Sequence, residues 1–155
     1  MADKYKGISD SDIVLRYLKL EDAKELSIIG NERFISRFNW HVKYPLSVAG
    51  ARRMILEGNA LRAGKRKIHS FGITLKKGGR LIGVIDIYDV NLRSRRASLG
   101  YWIGGGFRLR GYASRSISIA ISFAFKRLKL NKLKAESLVH NATSNHLLSK
   151  FVFNG

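Results

Sequence analysis

A chain of 155 residues with 29 Lys and Arg against 11 Asp and Glu has room for one domain, and its net charge of +18 attracts anions at long range. It contains no cysteine, which excludes a cysteine acyl-enzyme, a thiolate metal site and a disulfide framework. The opening Met-Ala-Asp-Lys-Tyr-Lys lacks the apolar core of a signal peptide, and no apolar run approaches the roughly 20 residues that span a bilayer, so a cytoplasmic protein off the membrane is expected.

Taken in chain order, Ile13 to Leu18 reads as a first strand. Glu21 and Asp22 then open a helix with Ala23, Leu26 and Ile29 on one face, stopped by Gly30. The aromatic-rich stretch that follows holds Phe34, Phe38, Trp40 and Tyr44 and resists assignment. Pro45 and Ser47 start a second helix, with Ala51, Met54, Ile55 and Leu61 as its stripe and Gly64 as its end. Two apolar runs, Ser70 to Lys76 and Leu81 to Asp89, flank Lys77-Gly78-Gly79-Arg80, whose glycines tolerate the positive φ of a tight hairpin. A third run, Ala97 to Ile103, follows so closely that all three must be antiparallel, because a parallel crossover takes a dozen or more residues.

Gly104-Gly105-Gly106 breaks the chain. A long helix is then expected from Tyr112 to Lys129, with Ile117, Ala120, Ile121, Ala124, Phe125 and Leu128 facing the core. Leu133 to Val139 reads as a strand parallel to the one before this helix, and a last helix runs from Thr143 to Phe151. The order predicts a single α/β domain over residues 1–155, a mixed, mostly antiparallel sheet with helices on both faces.

The segment that carries chemistry joins the strand Tyr101-Trp102-Ile103 to the long helix through Arg108-Leu109-Arg110-Gly111-Tyr112-Ala113-Ser114. The first N–H groups of a helix lack intrahelical partners, the helix dipole adds partial positive charge, and Arg108, Arg110 and Arg115 add full charges. That composition favours a phosphate or pyrophosphate. Gly106 and Gly111 have P-loop spacing, but Tyr112-Ala113 stands where the lysine and the magnesium-binding hydroxyl would be. Leu109 occupies the third glycine position of a dinucleotide fingerprint.

Arg108-Leu109-Arg110-Gly111-Tyr112-Ala113 resembles the Gln/Arg-x-x-Gly-x-Gly/Ala signature of the GCN5-related N-acetyltransferases. Leu99-Gly100-Tyr101-Trp102-Ile103 is similar to the Ile-Gly-Tyr-Trp-Leu strand of the subgroup with the ribosomal-protein N-terminal acetyltransferases. Leu130-Asn131-Lys132-Leu133, Asn141-Ala142-Thr143-Ser144, Leu15-Arg16, Glu21-Asp22-Ala23 and Arg80-Leu81-Ile82-Gly83 extend the resemblance over nearly the whole chain. It implies acetyl-CoA as co-substrate, with the amides of Leu109 to Ser114 on the pyrophosphate and the Arg108 and Arg110 side chains assisting or reaching the 3′-phosphate. It further implies that the backbone of Tyr101, Trp102 and Ile103 pairs with the pantetheine arm, that Asn141 contacts this arm, and that Ser144 protonates the departing thiolate. The acceptor is then an amine, a protein N-terminus or a ribosomal protein foremost, with small amines as the alternative.

Subgroup members often carry Glu two residues before the Gly-Tyr-Trp; this chain has Ser98. Asp86, Asp89, Glu136 or bulk water must then supply the base, and Asp86 is preferred because it interrupts an apolar run. A non-catalytic acyl-CoA binder is the second reading. Phe38, Trp40 and Tyr44 either line the acceptor pocket or plug the core, and His41, His69, His140 and His146 lack metal-ligand spacing, so no metal is expected. Net charge alone favours nucleic acid, with clusters at Arg62, Lys65, Arg66, Lys67 and at Arg93, Arg95, Arg96; no recognition motif appears, so nucleic acid is not expected as a specific ligand. In the family another strand follows the last helix, whereas this sequence stops at Asn154-Gly155. An uncovered strand edge, and with it a homodimer or a less stable fold, is therefore expected.

Overall fold

The computed structural model describes residues 7–38, 42–63 and 67–135. Within them the chain forms β1 (Ile8–Ser9), β2 (Ile13–Tyr17), a 3-10 turn (Leu20–Asp22), α1 (Ala23–Ile29), α2 (Arg33–Phe38) and α3 (Val48–Ala63). There follow β3 (Lys67–Leu75), β4 (Leu81–Asn91), β5 (Arg96–Ile103), a second 3-10 turn (Gly105–Phe107), α4 (Tyr112–Lys126) and β6 (Lys132–Ala135). The six strands make one sheet in sequence order. Each pair is antiparallel except β5 with β6, which is parallel across the α4 crossover. This is the mixed, mostly antiparallel sheet that the order of apolar runs predicts.

Local chemistry explains most of the boundaries. Gly78 and Gly79 take φ of 86° and 71° between β3 and β4, the left-handed geometry that the hairpin requires. Ser47 caps α3, its Oγ accepting the Gly50 N–H at 2.9 Å, so the helix starts at Val48. The first helix starts later than Glu21 because Asp22 is used as an anchor. Its carboxylate accepts the Lys19 N–H at 2.7 Å and a two-pronged bond from Arg16 at 2.8 Å on each oxygen. Burial pushes this carboxyl up, but the Arg16 fork and the Lys19 amide outweigh it and hold Asp22 below the usual carboxylate range.

The sheet carries a core on each face. On one, Ile117, Ala120, Phe123 and Ala124 of α4 pack over Ile13, Leu15, Phe71, Ile73, Ile85 and Ile87. On the other, Leu26 of α1 and Ala51 and Ile55 of α3 pack over Leu81, Val84 and Trp102. Within α4, Phe123 is buried, while Ile121, Phe125 and Leu128 sit at the margin of the core. That rotates the expected core stripe toward Phe123. Of the expected strand 133–139, the described part ends at Ala135, and the expected helix 143–151 lies outside the described residues.

Candidate active site

The end of β5 positions the site. Tyr101, Trp102 and Ile103 pair with Ile85, Val84 and Gly83 of β4. Alternation along the strand sends Trp102 into the α1 and α3 core and Ile103 into the α4 core, while Tyr101 packs half-buried against the latter. The Gly104 N–H extends this ladder by one bond, to the Ile82 carbonyl at 2.8 Å. The chain then turns through Gly105–Phe107.

Glu32, just ahead of α2, braces this turn. One carboxylate oxygen accepts the Gly105 N–H at 2.6 Å, and the other accepts Arg108 Nη1 at 3.1 Å. Arg108 Nε donates back to the Ile103 carbonyl at 3.0 Å, and its guanidinium lies 4.7 Å from the centre of the Phe34 ring. The Arg108 side chain is thus folded beneath the loop instead of reaching out from it. Arg115 is engaged as well, with Asp12 at 2.7 Å and Asp10 at 3.3 Å. Arg110 remains exposed on the loop. Glu32 carries no signal in the sequence, because its partners lie 73 and 76 residues away.

Two left-handed residues then aim the main chain outward. Leu109 has φ 62° and is 95% exposed, and Gly111 has φ 82° as the N-cap of α4. No side chain caps this end, and the first bond into the helix is Arg115 N–H to the Gly111 carbonyl at 3.1 Å. The amides of Leu109, Arg110, Gly111, Tyr112, Ala113 and Ser114 therefore have no acceptor among the described residues. Successive amides on a left-handed bend at a helix N-terminus form a concavity for an anion, and the exposed Arg110 adds a full charge.

On the α3 face, Asp86 of β4 lies between Ser70 of β3 and Gly100 of β5, its register partners. The Ser70 hydroxyl donates a short hydrogen bond to Asp86 Oδ1. Burial pushes the Asp86 carboxyl up to about 6, with the Ser70 bond working against this rise. Ser98, Gly100 and Trp102 share that face of β5, so Asp86 sits diagonally across from Ser98. A small cavity under α3, lined by Leu18, Met54, Ile55, Gly58, Asn59, Arg62 and Ser70, adjoins it. A carboxylate that titrates near neutrality beside a cavity can take a proton from an amine.

The other expected residues fall elsewhere. Asp89 is exposed at a bulge with φ 51°. Tyr44 is exposed under the Arg33 guanidinium. His69 is buried against Tyr17, whose hydroxyl lies 2.6 Å from Nδ1. Trp40, His41, Glu136, His140, Asn141, Ser144 and His146 lie outside the described residues, as does the Phe38 side chain. No helix among the described residues is long and apolar enough to cross a membrane.

Residues 12–154 match the profile of the acetyltransferase (GNAT) domain. YoaA of Bacillus subtilis, an uncharacterised N-acetyltransferase, is 30% identical over 141 residues, covering 91% of this chain and 78% of that protein. YdaF of the same organism carries the provisional name ribosomal N-acetyltransferase; it is 26% identical over 91% of this chain and 77% of its own length. Among solved structures, RimL, a ribosomal L7/L12 alpha-N-protein acetyltransferase in complex with coenzyme A, superposes with a TM-score of 0.81 at 17% identity. That match covers 93% of this chain and 81% of RimL.

Proposed function

This chain belongs to the acetyltransferase (GNAT) domain family and is an N-acetyltransferase, and from that premise we propose that it moves the acetyl group of acetyl-CoA directly to a protein N-terminal α-amine, of the kind ribosomal proteins present. The single observation that carries the cofactor reading is the run of uncommitted amides from Leu109 to Ser114 on the left-handed bend that opens α4. The fit is chemical: a pyrophosphate needs several N–H donors converging on one place, and this bend offers them without a competing cap. RimL, which shares the fold, is seen with coenzyme A bound.

In this reading the Leu109 to Ser114 amides hold the pyrophosphate, and Arg110 reaches the 3′-phosphate. The Arg108 side chain, held by Glu32 and the Ile103 carbonyl, positions the turn. The main chain of Tyr101, Trp102 and Ile103 pairs with the amides of the pantetheine arm, and an N–H there polarises the thioester carbonyl. Asn141 contacts the same arm.

Asp86 takes the place of the missing glutamate at position 98. It lies on the adjacent strand and the same face, and it receives the proton that the amine loses as its nitrogen bonds to the acetyl carbon. The carbon–sulfur bond breaks, and Ser144 protonates the departing thiolate. An α-amine suits a base that titrates at about 6 better than a lysine does, because its own pKa is near 7.7–8.0 instead of 10.4. The likeness to YdaF and RimL supports a ribosomal acceptor.

Calorimetric titration with acetyl-CoA tests the site. Saturable binding is expected for the natural chain, with its loss in an Arg110→Glu, Gly111→Glu double variant that brings negative charge to the bend. A folded natural chain that takes up no acetyl-CoA would overturn the assignment. Where binding is found, an acceptor screen beginning with N-terminal peptides should give turnover, and turnover confined to small amines would refute the protein acceptor.

A further inference from the structure

From Val90 to Ala135 the chain contains no Asp or Glu, and the fold gathers the cations of this stretch at two places. One is the anion loop, where Arg108 and Arg115 are paired with carboxylates. The other is the β4–β5 turn with the α4–β6 turn. There Arg93, Arg95, Arg96, Lys126, Lys129 and Lys132 are all exposed. Among the described residues, none of these six has a carboxylate within ion-pair distance.

The arrangement is costly, and the cost is structural. Arg96 and Lys132 are register partners in the β5–β6 ladder, and like charges placed opposite each other destabilise a sheet. Arg95 and Lys129 hold left-handed backbone, φ 56° and 58°, which glycine would adopt more cheaply. The two turns are also locked to one another. Arg95 Nε donates to the Lys129 carbonyl at 2.7 Å, and the amides of Asn131 and Lys132 donate to the Arg95 carbonyl at 2.6 and 3.2 Å. The result is a rigid platform of unneutralised cations, away from the anion loop.

We propose that this platform docks on the backbone of double-stranded RNA. Several exposed cations on two joined turns, with Leu92 the one large exposed apolar side chain among them, match a phosphodiester surface better than a protein partner. Protein interfaces need an apolar, aromatic centre, whereas nucleic-acid interfaces are polar and strongly positive. The major groove of B-form DNA is read by an inserted helix or ribbon. Here the β4–β5 turn is tied to the α4–β6 turn and cannot enter a groove by itself. Donors on two turns and a strand suit the wide, shallow groove of A-form RNA, with its exposed phosphates and 2′-hydroxyls. This docking stands independently of the acetyl-transfer reading.

The test is fluorescence anisotropy with a labelled RNA duplex of about 16 base pairs, a DNA duplex of the same sequence, and poly-glutamate as competitor. Two full-length variants are compared, each losing three charges: Arg93→Gln, Arg96→Gln, Lys132→Gln on the platform, and Lys24→Gln, Arg52→Gln, Arg53→Gln on α1 and α3. Circular dichroism verifies that each is folded. The natural chain should bind RNA with an affinity that falls log-linearly with salt. The platform variant should bind about ten-fold more weakly, with a salt slope smaller by about 2–3, while the α1 and α3 variant changes little. Equal weakening of both variants would show a response to net charge alone and overturn the platform. Equal affinity for DNA, stronger competition by poly-glutamate, or no RNA binding would each overturn the RNA assignment.

Discussion

Asp86 shows how much one residue's surroundings decide. An exposed aspartate would be ionised throughout the working pH range and a poor proton acceptor, but burial between β3 and β5 brings this one to about 6. Asp86→Asn should lower kcat by about 10²–10⁴ and abolish the acidic limb of the rate profile centred near that value. The stability effect has the opposite sign. The folded carboxyl holds its proton more tightly than the unfolded one, so its contribution is fully present below about pH 4 and lost as pH rises through about 6. At pH near 8 the Asn variant should therefore be the more stable by roughly 1–3 kcal/mol, which urea melts at acid and alkaline pH would reveal. Glu32 acts through others. Glu32→Ala should raise the acetyl-CoA dissociation constant about ten-fold with a small change in Tm. Glu32→Gln, which still accepts the Gly105 N–H, should recover part of it. An unchanged constant in calorimetry would reduce the brace to a structural contact.

At the level of elements, the β4–β5 ladder has no room for a side chain at Gly83. A Cβ on Gly83 would stand 2.4 Å from the Trp102 carbonyl oxygen, so Gly83→Ala must push β4 from β5. A loss of about 2–4 kcal/mol is expected, or a fall in Tm of roughly 5–15 °C by calorimetry. Gly106→Ala, where a Cβ meets nothing within 4 Å, should leave the melting point almost unmoved. Legibility differs by element for physical reasons. The β3–β4 hairpin and the start of α3 are written locally, in Gly78-Gly79 and Ser47, and were readable. The two-residue β1 exists only through its pairing with β2, and α2 lies in the aromatic stretch that has no clear period. In α4 both Phe123 and Phe125 reach the core and Ser116 is buried beside apolar neighbours, so apolar periodicity could not choose Phe123 over Phe125 as the buried ring.

The whole molecule is governed by its charge. A net charge of +18 repels itself, and Asp10, Asp12, Asp22 and Glu32 are each paired with a single arginine, Arg16, Arg108 or Arg115. Raising ionic strength from about 0.01 to about 0.15 M shortens the screening length from about 30 to about 8 Å. The melting temperature should rise with it, whereas a fall would mean that the few ion pairs outweigh the repulsion. Composition revealed the excess charge at once, and the motif marked the loop that is proposed to hold the pyrophosphate. What it could not reveal was which arginines are spent inside the fold. Arg108 reads as a phosphate ligand until Glu32 is seen beneath it, and that contact is a product of tertiary closure.

The Glu32 contact also has a meaning in time. It joins residues that leave the ribosome far apart, 73 and 76 positions along the chain. During synthesis Glu32 emerges early, but the turn it braces lies beyond β5 and meets the carboxylate only when β3, β4 and β5 have paired. Long-range closure of this kind comes late, because the loop entropy is lost before the contact forms. A partly made or misregistered chain would therefore hold the right amides in the wrong curve. On the proposed site, affinity for the cofactor would thus report that β5 has found its register against β4.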